Sequence, residues 1–166
     1  MTRTICAARA GVMAVLMLVI FTGLVVAQTV QQPDASSLLT RAEIQSALGQ
    51  SVGEGKLKPR ANLNAGTVCE YTVGTGGMFS VYAKELVQGE TANRIVEEFI
   101  KRKIAVSEST GVGDRSFFVS PGYGVVQLNT FKGSRYLIIT LLIPGLTEAA
   151  QKTAALELMQ KALTRS

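Results

Sequence analysis

The chain has 166 residues, 17 basic against 12 acidic side chains, and no histidine. Removing a leader that holds Arg3 and Arg9 takes the 17 basic side chains to 15 against 12 acidic, a net charge of +3 that is too mild to argue for nucleic acid. The absence of histidine excludes every Ser-His or Cys-His triad built from this chain alone, and with it the commonest general base and metal ligand.

Arg3 and Arg9 form a positive n-region ahead of Gly11–Ala27, an apolar stretch without charge. Val25-Val26-Ala27 places small or modest side chains at a cleavage site before Gln28, so residues 1–27 read as a secretory signal peptide. The expected location is secreted or periplasmic. The alternative is an inner-membrane anchor, because the apolar stretch sits at the lower limit for crossing a bilayer. Cys6 precedes this stretch, whereas a lipidated cysteine would follow it. Cleavage leaves Cys69 as the sole thiol, with no internal disulfide open to it. Residues 28–37 (QTVQQPDASS) read as a polar flexible tether. Residues 38–166 are then a single domain, long enough to bury a core without disulfides or metals.

The first helix is expected over 41–48. Thr40 and Glu43 make a capping box, Leu39 and Ile44 a hydrophobic staple, and Gly49 a C-terminal stop. The stretch 50–66, with three glycines and one proline, reads as a long surface loop. Val68–Val73 and Met78–Lys84 alternate as strands around a Gly74–Gly77 turn. Thr91–Lys103 is expected to be helical, with Ile95, Val96, Phe99 and Ile100 on one face and Glu97–Lys101 and Glu98–Arg102 as i,i+4 pairs. Strands are expected at Arg115–Ser120, Tyr123–Thr130 and Arg135–Ile143, separated by Pro121-Gly122 and Lys132-Gly133. The run Tyr136–Ile143 is nearly all apolar, which predicts a central strand covered on both faces. Thr147 caps a last helix to about Thr164, with Ala150, Ala154, Leu158 and Ala162 in line. The predicted fold is α+β, order α-β-β-α-β-β-β-α. Its sheet is mainly antiparallel, of about five strands, with the helices gathered against one face.

Two candidate anion or partner contacts stand out. Lys56, Lys58 and Arg60 alternate in the 50–66 loop and can receive a lipid headgroup, a phosphate or an acidic protein surface; the plain alternative is a solvated loop. Gly111-x-Gly113-Asp114 can expose backbone N–H groups to an anion. A strand follows it rather than a helix, which is the wrong order for a nucleotide fingerprint and suits a tight turn. Tyr71, Tyr82, Tyr123 and Tyr136 all fall on predicted strands, as a binding surface or as packing. Asp114, Glu108 and Glu70 are the carboxylates near turns and strands that a hydrolytic site would need to bring together. Cys69, in the alternating stretch Thr67–Tyr71, reads as a buried core thiol.

The succession Leu39-Thr40-x-x-Glu43-Ile44-x-x-Ala47-Leu48-Gly49, Cys69-Glu70-Tyr71, Gly111-Val112-Gly113-Asp114-Arg115-Ser116-Phe117, a Lys132-Gly133 hairpin and an Ala-rich terminal helix resembles small exported bacterial proteins and lipoproteins of unknown function, many of them actinobacterial. Some of these look like the α+β fold of PsbP-like proteins. The resemblance spans most of residues 38–164 and implies an envelope or secreted location, with no reaction, cofactor or catalytic residue to carry over. The chain departs from the lipoprotein members in lacking their lipobox cysteine. The expected function is an exported, non-catalytic binding or interaction module whose partner is an envelope protein or a small ligand. The alternatives are a histidine-free envelope enzyme and a membrane-tethered structural accessory.

Overall fold

A computed structural model describes residues 32–59, 61–62 and 65–166. The expected leader 1–27 and residues 28–31 lie outside these. Three helices and seven strands follow a short 3₁₀ turn at Ala35–Ser37. In chain order they are α1 (Arg41–Leu48), β1 (Lys56–Lys58), β2 (Thr67–Val73), β3 (Gly77–Glu85), α2 (Ala92–Lys101), β4 (Ala105–Ser109), β5 (Arg115–Gly122), β6 (Val125–Lys132), β7 (Arg135–Leu142) and α3 (Glu148–Arg165). The strands form one sheet, in spatial order β1-β2-β3-β7-β6-β5-β4, antiparallel at every pairing.

The α+β class and the antiparallel sheet agree with expectation, but the sheet has seven strands rather than about five. The two additions are its edges. Lys-Leu-Lys in β1 is exposed at all three positions, and β4 has no buried residue. Neither carries the apolar alternation by which a half-buried strand is read from sequence.

Helix α1 forms where its local signals place it. The Thr40 hydroxyl accepts from the Glu43 N–H, the Glu43 carboxylate accepts from the Thr40 N–H at 2.9 Å, and Gly49 closes the helix at φ +64°. α1 and α3 cover one face of the sheet. There Phe79 and Val81 of β3, Leu137, Ile139 and Leu141 of β7, and Val126 and Leu128 of β6 pack under Ala155, Leu158, Met159 and Ala162.

The helices are not gathered on one face. α2 lies on the other, over Phe117, Val119, Phe131 and Tyr136, with Ile95, Val96 and Phe99 half-buried against them. β7 is the fourth of seven strands, buried under α3 on one face and covered on the other at its Tyr136 and Ile138 end, as its two-sided apolar run requires.

From Gln32 onward the expected tether is docked. The Thr67 hydroxyl accepts from the Ala35 N–H (2.8 Å) and donates to the Pro33 carbonyl (2.6 Å), the Gln32 amide oxygen accepts from the Glu85 N–H (2.9 Å), and Ala35 is fully buried. The polar composition of 28–37 hides these contacts because their partners lie 32 to 53 residues away.

The β5–β6 turn is also displaced. Gly122 pairs with Val125, so the two-residue loop is Tyr123-Gly124 rather than Pro121-Gly122. Tyr123 leaves its expected strand for the tip.

Candidate functional site

Helix α2 covers the second face only over its β4–β7 side. Toward β1 that face stays open, with Lys56 opposite Glu70, Lys58 opposite Val68, Thr72 opposite Met78, and Ser80 opposite Thr140. Glu54, Lys56, Lys58, Glu70, Thr72 and Met78 line a depression of about 310 Å³. Lys58 is paired with Glu70 at 2.7 Å, while Lys56 has no ion pair among the described residues. The structure thus turns Lys56 and Lys58 from a loop into alternate positions of an edge strand, which sends both to the open face. Arg60 lies outside the described residues.

Gly111, Gly113 and Asp114 sit at the opposite end of the sheet. The Asp114 carboxylate accepts from the Gly133 N–H at 2.7 Å, and its own N–H donates to the Phe131 carbonyl at 2.8 Å. At Gly113, φ is +63° and a Cβ would stand 2.5 Å from the Phe131 carbonyl oxygen, so only glycine fits. Asp114 therefore ties one turn to the next hairpin. Glu108 is engaged separately by Arg115 at 2.9 Å, and Glu70 lies at the other edge of the sheet beside Lys58. The three carboxylates do not converge. Among the described residues, no group of three His, Cys, Asp or Glu side chains could hold a metal ion.

Cys69 is buried on the α1/α3 side beneath Gly55, where a Cβ would meet its sulfur at 2.9 Å. The neighbouring Tyr71 hydroxyl donates to the Leu39 carbonyl, and burial followed by its bond to Cys69 raises its pKa. Tyr136 is stacked on Phe131 and donates to Asn129 at 2.6 Å, with its pKa raised chiefly by burial. Tyr82 packs edge-on against Tyr136. Three of the four tyrosines are thus packed into the fold, and Tyr123 alone is free, at 99% exposure.

Sequence reasoning missed the turn roles of two residues. Lys103 and Tyr123 are the described non-glycine residues with positive φ, at +58° and +56°. The signal was present as a Tyr-Gly dipeptide where a two-residue hairpin loop ordinarily carries Asn-Gly, and as a lysine where a helix ordinarily ends on glycine. No family model, curated protein or solved structure matches the chain.

Proposed function

We propose that the protein is an exported, non-catalytic binding module that receives a partner on the open half of its sheet. One observation carries this. A seven-stranded sheet packed under α1 and α3 on one face keeps the β1–β3 side of the other face free, and that surface holds paired and unpaired charges (Lys56, Lys58, Glu70) among small polar side chains and Met78. Such a surface suits polar recognition of an envelope protein or a small anionic ligand. The edge strand β1 adds unpaired backbone groups along its outer side.

The test places a photo-crosslinking residue at Thr72, exposed on the open face of β2, and at Gln160, on the exposed side of α3, in the protein produced by its own host. An adduct of defined mass that forms from position 72, is absent from position 160, and is lost in Lys56→Glu/Lys58→Glu supports the reading. Matching adduct patterns from both positions would overturn it. Export is checked on the same material, where a mature mass starting at Gln28 is the expected result.

A further inference from the structure

The end of the sheet that carries the β5–β6 hairpin gathers features that nothing above uses. β4 begins at Ala105, which pairs with Ser120 just before that hairpin. The C-terminus of α2 (Lys101, Arg102, Lys103) therefore emerges beside the tip Pro121-Gly122-Tyr123-Gly124. The β2–β3 turn Gly74-Thr75-Gly76 and the turn Pro144-Gly145 come from strand ends at this same end of the sheet, and all of these turn residues are uncharged.

Three observations converge here. Among the described residues, two of the three large exposed apolar side chains, Tyr123 at 99% and Ile100 at 61%, are at this end. Arg102 and Lys103 are exposed and form no ion pair among the described residues, whereas Lys101 is paired with Glu98 at 2.9 Å and Glu148 with Lys152 at 2.7 Å. Finally, both non-glycine residues with positive φ are here.

The backbone geometry makes this placement costly. Lys103 holds the C′ position of a Schellman end, its N–H donating to the Ile100 carbonyl at 2.9 Å and the Ile104 N–H to that of Phe99 at 3.0 Å. Tyr123 and Gly124, at φ +56° and +76°, are the two central residues of a two-residue hairpin turn that favours Asn-Gly. Both turns call for left-handed backbone, and filling these positions with a lysine and a tyrosine rather than Gly or Asn carries strain of a kind that concentrates at sites of use.

We infer that this end docks on an anionic lipid surface. Tyr123 would seat at the headgroup level, Ile100 just inside it, and Arg102 and Lys103 on the lipid phosphates. A tyrosine ring with a polar tip suits that depth, and free cations beside it supply the charge complementarity. This surface is distinct from the open half-face, so the two proposals fail separately.

The chain lacks tryptophan, so Tyr123→Trp installs a single fluorophore at the tip. The chain from Gln28 to Ser166 holds every residue of both core clusters and serves as the host. With vesicles of phosphatidylglycerol the Trp emission is expected to shift to the blue and to be quenched by lipids brominated near the headgroup. Gln88→Trp, in the loop at the opposite end, is expected to stay water-like. Arg102→Gln combined with Lys103→Asn, which keeps a residue tolerant of the left-handed backbone, lowers vesicle affinity by about 25-fold, roughly fivefold per charge. Phosphatidylcholine vesicles bind comparably weakly. A water-like emission at position 123 with anionic vesicles would overturn the inference, as would equal shifts at 123 and 88 or an affinity indifferent to Arg102 and Lys103.

Discussion

Glu43 serves both ends of the domain. Its carboxylate accepts from the backbone and hydroxyl of Thr40 at 2.9 and 2.8 Å, and from both terminal nitrogens of Arg165 at 2.7 Å, across 122 residues of chain. The Arg165 hydrogen bonds, then those of Thr40, hold its pKa down at about 2. An unfolded glutamate titrates near 4.3 (roughly), so this contribution to stability is complete above that value and disappears as pH falls through the folded pKa. Urea unfolding from pH 7 to 2 is expected to show a smaller loss of stability in Glu43→Gln than in the parent, the two converging near pH 2; parallel curves would refute this. Half of the arrangement is legible in the sequence, since Thr40 and Glu43 are three residues apart and a capping box is a local pattern. The Arg165 half is set by where α3 ends, which no local spacing encodes. The same divide separates Asp114, whose two preceding glycines mark a turn locally, from its bond to Gly133, 19 residues on.

Helices α2 and α3 invert the usual link between pattern and burial. α2 has the cleaner division of apolar and charged faces, yet none of its residues is buried. α3, diluted by alanines, buries Ala154, Ala155, Leu158, Met159, Ala162 and Leu163. Periodicity reports which side of a helix faces protein, while depth depends on how closely the backbone can approach, which small side chains permit. Leu158→Ala is therefore expected to cost about 3 kcal/mol in chemical unfolding. Backbone amides of α2 should exchange with solvent faster than those of α3, through local opening that leaves the α1/α3 core intact; equal protection would show that α2 is a full member of the cooperative unit. The strained end of α2 yields a prediction of opposite sign. Lys103→Gly relieves the left-handed penalty and should raise stability by about 1 kcal/mol while weakening vesicle binding. A loss of stability would mean that the lysine side chain supports the fold in a way its exposure does not reveal.

At the scale of the whole molecule, the two-sided apolar run Tyr136–Ile143 already required cover on both faces, which conflicts with helices gathered on one. The structure resolves the conflict in favour of the strand, because burial of that run outweighs any preference in how helices are grouped. Edges stayed illegible because they are defined by a missing neighbour, and a short exposed strand such as Lys-Leu-Lys reads as a loop. The same architecture constrains how the chain can meet a membrane. Gln32 is fixed at the Glu85 end of β3, while Tyr123 projects from the Gly77 end. The nine residues of β3 put these ends about 27 Å apart along the strand. Residues 28–31 let Gln32 stand no more than about 18 Å from Ala27. If Gly11–Ala27 stayed in a bilayer, the Glu85 end would be held nearest it and the tip could not dock end-on to the same surface. Lipid docking through Tyr123 thus presupposes release of the leader. The comparison to make is between Tyr123→Trp in the chain from Gln28 and in a full chain whose cleavage site is blocked by Ala27→Lys, inserted in dilute anionic vesicles. A blue shift is expected in the first and a water-like emission in the second. Equal shifts would mean that the domain lies on its side against the bilayer, and that the leader and the hairpin can share one membrane.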